Sequence, residues 1–140
     1  MVKIACSFPC SIAAATIYVG AIALPLLRKS DAGRIVNVSS SVGSLTEQSN
    51  PDSPYYAITT TGYNSSKAAL NALTVQLAKQ LTDTNIKVNS ICPGWVQTDM
   101  GTDAAPRTVA EGVRIILNLA TLPEDSSTGD FFNEDGVIPW

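Results

Sequence analysis

The sequence YNSSKAALNALTVQLA at residues 63–78 has the periodicity of a helix with one apolar face. Leucines at positions 70, 73, 77 and 81 recur at the three- and four-residue spacing that places side chains on one side of an α-helix. The pattern predicts a helix over residues 62–82. Tyr63 and Lys67 are four residues apart in it, so both side chains are expected on the same face.

An apolar segment lies on each side of this helix in the chain. Residues 34–38, RIVNV, follow the turn-forming Asp31-Ala32-Gly33 and precede three serines, while residues 86–91, IKVNSI, run into Pro93-Gly94. β-Branched runs bounded in this way are typical of buried strands. Residues 44–61 are polar and contain two prolines and four threonines, so this stretch is predicted to be a loop.

A third helix is predicted to begin at Thr108-Val109-Ala110-Glu111, because Thr and Glu at this spacing can bond the free backbone N–H groups of a helix start. It should end before Pro123, and residues 129–132 can form a last short strand. Alternation of helices and strands predicts one α/β domain with a parallel sheet covered by helices. The apolar face of this last helix is predicted to comprise Val113, Ile116, Leu117 and Ala120.

Composition excludes several classes of function. The 140 residues contain no histidine, which rules out a Ser-His-Asp triad, a Cys-His pair and any His-ligated metal site. A net charge of −3 offers no basic field for nucleic acid. Cys6, Cys10 and Cys92 have no disulfide or metal-ligand pattern, so we interpret them as free thiols in a cytoplasmic protein, with no metal.

The run from Ile4 to Leu27 carries no charge and leaves three interpretations open. Its length is compatible with a membrane anchor, and Lys3 with the small residues near Ala21 is compatible with a signal peptide. Because the run is rich in alanine and interrupted by Pro9 and Pro25, we favour a buried helix and expect no membrane association.

The Tyr63/Lys67 pair would, taken alone, also fit an exposed pair on a solvated helix. Its surroundings are more specific: a strand ending in Ser39-Ser40 precedes it, and Val88-Asn89-Ser90-Ile91-Cys92-Pro93-Gly94-Trp95 follows it. From about Leu24 to residue 140, this order resembles the catalytic half of the short-chain dehydrogenase/reductase family, in its carbonyl-reductase-like branch. The resemblance implies part of a Rossmann-like, doubly wound parallel sheet, consisting of the C-terminal strands and helices only.

The resemblance also implies roles for individual residues. Tyr63 matches the family's catalytic acid/base, Lys67 the residue that lowers its pKa and contacts the nicotinamide ribose, and Ser40 the serine that bonds the substrate oxygen; Ser39 and Ser41 are lesser candidates. The implied cofactor is NAD or NADP, with NADP favoured, and the implied substrate is a small carbonyl compound or alcohol. Residues implied to lie along the nicotinamide end of the cofactor, besides Tyr63 and Lys67, are Pro93, Gly94, Val96 and Thr98.

The sequence departs from the family pattern at its start. Residues 1–140 contain neither the family's G-x-x-x-G-x-G turn nor its N-N-A-G segment, and Ile17 stands nearest to the position of the family's helix asparagine. Residues 1–23 are therefore of doubtful membership, and the chain is interpreted as a truncated domain. Two hypotheses follow: an NAD(P)-dependent oxidoreductase, or an inactive remnant or interaction module that cannot bind the cofactor. For the chain as given, we expect negligible NAD(P)H binding and self-association through an unpaired strand edge.

Overall fold

The computed structural model describes Gly20 and residues 22–140, beginning with helical residues 22–27. Strand β1 follows, and a 3₁₀ turn at Ser41–Gly43 connects it to helix α1. The predicted alternation of helices and strands is confirmed, with bounds within two residues for the long helix and both main strands. The elements are β1 (Arg34–Val38), α1 (Leu45–Ser49), α2 (Thr61–Gln80), β2 (Lys87–Ile91), α3 (Val109–Ala120), β3 (Phe131–Asn133) and β4 (Gly136–Val137).

The sheet has the order β1-β2-β3-β4. β1 and β2 are parallel over their full length, from Arg34 opposite Lys87 to Val38 opposite Ile91, and β3 is parallel to β2. The predicted α/β fold is confirmed. β4 was not predicted: it is antiparallel to β3, and two residues are too few to produce a pattern in the sequence.

Residues 44–61 are not wholly a loop, because they contain α1. Ser44 begins this short helix by accepting a hydrogen bond from the Glu47 N–H at 3.0 Å. The same hydroxyl donates to the Pro139 carbonyl at 2.7 Å, so it also fastens the C-terminal segment. Ser-x-x-Glu at positions 44–47 is a helix-start pattern. This pattern in the sequence indicates the helix. The prediction of a loop rested on polar composition alone and did not use it.

The buried face of α3 differs from the prediction. Ile116 is half-buried, but Val113 and Leu117 are 39% and 58% exposed, and Ala120 is exposed as well. The helix turns Gly112 inwards instead, because a Cβ there would lie 2.6 Å from the Val96 Cγ2 atom. Close packing against Val96 therefore sets the rotation of the helix, and the face towards the sheet comprises Gly112, Ile115, Ile116 and Leu119.

The main core lies where α2 covers β1 and β2. Of the predicted leucine face, Leu70 and Leu81 are buried, and Leu73 and Leu77 are half-buried. Leu24 and Leu27 of the first helical residues pack on the same core. No helix within residue 20 and residues 22–140 is long and apolar enough to cross a membrane. Most of the charge-free run, with Cys6, Cys10 and Ile17, lies outside the described residues.

Replacing Ser44 by alanine should destabilise the fold. The side chain has no exposed surface and satisfies both the start of α1 and the Pro139 carbonyl. We expect the free energy of unfolding of Ser44→Ala to fall by about 1–3 kcal/mol in urea denaturation. Ser65→Ala, on the exposed side of α2, is the control and should change it by less than about 0.5 kcal/mol. Equal effects of the two substitutions would contradict this role.

Strand β1 should mediate self-association. The Gly33 carbonyl and the Ser39 N–H bond β2, so alternation along the strand turns the N–H and C=O of Val36 away from β2. Within the described residues no strand pairs with this side. We expect concentration-dependent oligomers in light scattering. Fewer oligomers should form in Val36→Pro, because this substitution removes one outward N–H.

The exposed stripe of α3 provides the competing explanation for any oligomers. Val109, Val113 and Leu117 share one side of that helix and are all more than a third exposed. Val113→Lys places a charge in this stripe and leaves β1 untouched. Oligomers that persist in Val36→Pro but disappear in Val113→Lys would show that association uses the helix rather than the strand edge.

Candidate active site

The candidate site lies at the C-terminal ends of β1 and β2. Because the two strands are parallel and in register, the serines after Val38 and the Pro93-Gly94 turn after Ile91 leave the sheet at the same edge. Open α/β sheets bind their ligands at this edge. The first turns of α2, with Tyr63 and Lys67, lie beside it.

Ser40 is the serine that the structure brings to Tyr63. Its side chain is close enough to the phenol to counteract the rise in the Tyr63 pKa, and Ser40 itself is only half-buried. Ser39 and Ser41 are 3% and 2% exposed, and the Ser39 hydroxyl is directed to the Lys67 carbonyl at 3.4 Å. The geometry therefore separates three consecutive serines that the sequence left as alternatives.

Lys67 completes the group. Its ammonium donates to the Val38 carbonyl at 2.8 Å and lies 5.6 Å from the centroid of the Tyr63 ring. A cation at this distance from an aromatic ring is attracted to it. The structure thus brings together the predicted Ser40, Tyr63 and Lys67, which are separated by up to 27 residues in the chain.

A glycine that sequence reasoning did not single out makes this convergence possible. A Cβ on Gly43 would lie 2.7 Å from the Lys67 Cβ, so only glycine allows the 3₁₀ turn to contact α2 so closely. The turn follows Ser40 directly. Nothing in the local sequence distinguishes Gly43 from an ordinary loop glycine.

A buried polar chain holds α2 over both strands. The Asn37 amide donates to the Thr74 hydroxyl at 2.8 Å, and Thr74 shares a second hydrogen bond of 2.8 Å with Ser90. Asn37 is on β1, Thr74 on α2 and Ser90 on β2. One side chain from each element therefore fixes the helix relative to the sheet edge that carries the site.

Electrostatics at the site keep Tyr63 protonated. Burial raises the pKa of the Tyr63 phenol, and the hydrogen bond from Ser40 opposes this rise without overcoming it. Burial also lowers the pKa of Lys67. An electrostatic interaction with the buried side chain of Cys92 raises both pKa values. The protein's own groups therefore favour a neutral phenol, which can donate a proton at neutral pH.

The turn after β2 exposes its backbone and side chains. Gly94 has φ of +79°, a conformation that favours glycine, and Trp95 is 57% exposed. Val96 is half-buried, and the exposed Thr98 accepts a hydrogen bond from the Gly101 N–H at 3.1 Å. Besides Tyr63 and Lys67, the predicted cofactor positions therefore lie in this one segment after β2. The described residues contain no cluster of three or more metal-ligating side chains.

Comparison with known proteins agrees with this fold. The family model for short chain dehydrogenases matches residues 10–109, well over half of the chain. The chain belongs to the short-chain dehydrogenase family. The match begins ahead of Leu24, where the resemblance of the motifs starts, and includes Ser40, Tyr63, Lys67 and the turn after β2.

Reductases are prominent among the similar family members. Salutaridine reductase of Papaver bracteatum is 35% identical over 143 residues, covering 79% of this chain and 45% of that protein. The structure of carbonyl reductase Sniffer of D. melanogaster aligns with a TM-score of 0.71 at 35% identity, covering 89% of this chain and 52% of the other.

An NADPH-bound carbonyl reductase from chicken fatty liver aligns with a TM-score of 0.74 at 30% identity, covering 90% of this chain and 53% of the other. These alignments confirm the Rossmann-like fold. The chain spans about half the length of the relatives and structures that it matches.

Tyr63 should titrate above its usual pKa near 10. The difference between ultraviolet titrations of the wild type and Tyr63→Phe isolates this phenol from the other three tyrosines. We expect its midpoint above pH 10, since burial disfavours the phenolate. Ser40→Ala should raise the midpoint further, because it removes the hydrogen bond that stabilises the phenolate. A midpoint below 10 would contradict the electrostatic description of the site.

Proposed function

We propose that this chain carries the proton-transfer part of an NAD(P)-dependent oxidoreductase acting on a small carbonyl compound or alcohol, with Tyr63 as the acid/base. The convergence of the Ser40 hydroxyl, the Tyr63 phenol and the Lys67 ammonium at one edge of the sheet carries this proposal. These three groups suit one reaction: a carbonyl oxygen that gains a proton while its carbon gains a hydride.

The direction of the Tyr63 pKa shift favours carbonyl reduction. A phenol whose pKa lies above its usual value is neutral at physiological pH and can donate its proton to a developing alkoxide. The Ser40 hydroxyl donates to the same oxygen and reduces the cost of its charge. Lys67, with its ammonium close to the ring, compensates the negative charge that Tyr63 acquires on giving up the proton.

The residues present fit the nicotinamide end of the cofactor. Bound there, a nicotinamide supplies the hydride and the protein supplies the proton. The open turn at Gly94 offers backbone groups, Thr98 offers an exposed hydroxyl, and Lys67 offers a cation for a ribose. The printed sequence has no glycine-rich turn for a pyrophosphate, so other residues of the protein or a partner would have to hold that group. The NADPH in the similar chicken carbonyl reductase structure favours NADP.

Exposed apolar side chains lie in the chain segments next to the site residues and favour an organic substrate with an apolar body. Tyr56 and Ile58 are exposed in the loop before Tyr63, and Trp95 and Met100 are 57% and 80% exposed after β2. Sites for small organic molecules combine apolar side chains with a few polar groups. These exposed side chains therefore favour a carbonyl compound with an apolar body.

Tyr63→Phe tests the role of the phenol. In a fusion that joins this chain to the nucleotide-binding half of a similar carbonyl reductase, we expect carbonyl-dependent NADPH oxidation to fall by about 10²–10⁴-fold, since the proton donor is lost. The KM for NADPH should change little, because the ring still packs. Tyr55→Phe, in the loop before α2, is the matched control and should leave turnover unchanged. Near-normal activity of Tyr63→Phe would show that another group is the acid.

A cofactor titration of the 140-residue chain separates the proposed enzyme part from the alternative of a remnant or interaction module. The side of β1 that is paired with no strand among residues 22–140 is the observation that favours the alternative. We expect NADPH to bind only at high micromolar to millimolar concentration, because most of the contacts that fix such a cofactor are absent. An inactive fusion whose fold is intact would favour the interaction module.

A further inference from the structure

Arg107 contacts the Pro93-Gly94 turn from outside the catalytic group. One terminal nitrogen of its guanidinium donates to the Pro93 carbonyl at 3.3 Å, and the other forms an ion pair with Glu134. Its backbone carbonyl accepts a hydrogen bond from the Gln97 N–H at 2.8 Å. Arg107 is therefore bonded to both ends of the segment that runs from Pro93 to Gln97.

The middle of that segment also rests on Arg107. A Cβ on Gly94 would lie 2.8 Å from the Nε atom of Arg107 and 2.9 Å from its Cδ atom. The bare Cα of the glycine therefore packs directly against the guanidinium and the last methylene of the side chain. The left-handed backbone of Gly94 is maintained by this contact as well as by the absence of its own side chain.

Glu134 connects Arg107 to the sheet. It directly follows Asn133, the last residue of β3, and is the first residue of the turn between β3 and β4. The Cys92 N–H donates to the Phe132 carbonyl at 2.7 Å, so this hairpin is bonded to the chain directly before Pro93. The turn is thus enclosed by a continuous series of contacts, which runs from Pro93 to Arg107, Glu134 and β3.

We propose that Arg107, held by Glu134, is a positioning residue that keeps the Pro93-Gly94 turn in the geometry that receives the nicotinamide end of the cofactor. This inference rests on the proposed function. The site requires arginine because two terminal nitrogens of one planar group serve two different acceptors, which a single ammonium cannot do in the same directions.

The effect is local rather than global. The two side chains are 24% and 43% exposed, and a pair at this exposure contributes little to overall stability. Loss of the pair should therefore loosen the turn while the sheet stays folded. A merely structural role would instead lower the melting temperature and leave exchange in the turn no faster than elsewhere.

Hydrogen exchange of the 140-residue chain tests directly whether Arg107 positions the Pro93-Gly94 turn. In Arg107→Met, which keeps the length of the side chain, we expect the amides of residues 95–97 to exchange about tenfold faster or more, with those of β2 unchanged. The melting temperature should fall by less than about 4 °C. Arg114→Met is the control, since Arg114 is an exposed arginine on α3. Equal exchange at residues 95–97 in Arg107→Met and Arg114→Met would overturn the proposal.

Glu134→Gln keeps the proposal testable if Arg107→Met does not fold. By itself it should accelerate exchange at residues 95–97, because it weakens the ion pair that holds Arg107, and unchanged exchange would contradict the proposal. Where Arg107→Met does fold, Glu134→Gln should add nothing in that background, because the two residues act as one unit. Additive effects of the two substitutions on the exchange rates would show that Arg107 and Glu134 do not act together. Arg107→Lys should restore only part of the protection, since it retains one of the two contacts.

Cofactor fluorescence measures NADPH affinity up to millimolar concentration. It tests whether the contacts of Arg107 with the turn affect cofactor binding. We expect Arg107→Met to weaken NADPH binding by about fivefold to tenfold and Arg107→Lys to recover part of it, while Arg114→Met has no effect. Faster exchange in the turn with unchanged NADPH affinity would contradict a positioning role. Absence of NADPH binding by the wild-type chain would agree with its missing pyrophosphate contacts, and the exchange rates would then decide on the positioning role alone. An inactive wild-type fusion with an intact fold would contradict the proposed function instead.

Discussion

Parallel pairing of β1 with β2 is the constraint on which the rest of the structure depends. Five residue pairs in register place the ends of both strands at one edge of the sheet. Ser40 follows one end and Pro93 follows the other, so residues more than 50 positions apart in the chain become neighbours of the same site. Two strands shifted by one residue would turn their buried side chains to the opposite faces. The register is therefore both a packing requirement and a requirement of the site.

Polar side chains, rather than apolar ones, secure this register beside the site. Asn37, Thr74 and Ser90 are each at most 6% exposed and satisfy one another with two hydrogen bonds of 2.8 Å. Buried polar groups are costly unless they are paired, so a shift of α2 along the sheet would leave these groups without partners. Apolar packing of Leu81 against Ile86 and Val88 stabilises the opposite end of the same helix. The helix is thus held by burial at one end and by directional bonds near the chemistry.

The same half-buried environment decides the protonation of the candidate acid. Tyr63 lies deep enough for burial to outweigh the hydrogen bond from Ser40, and its pKa rises. Lys67 lies at a similar depth, and its pKa falls. The raised pKa of Tyr63 keeps its phenol protonated, which suits proton donation to a carbonyl oxygen. The reverse reaction requires a phenolate, and a positive charge brought by a bound cofactor would favour it.

The sequence by itself determined the elements with strong local signals. Leucine spacing defined α2, the Thr108–Glu111 pair defined the start of α3, and β-branched runs between turn residues defined β1 and β2. It also determined the family, because the serine, the Tyr-x-x-x-Lys helix and the Pro-Gly turn occur in a fixed order. Only the tertiary structure decided which of three adjacent serines meets Tyr63, which side of α3 is buried, and that Arg107 reaches Pro93 and Glu134. These outcomes depend on contacts between distant segments, such as Gly43 with Lys67 and Gly112 with Val96, and the periodicity of a single segment carries no information about them.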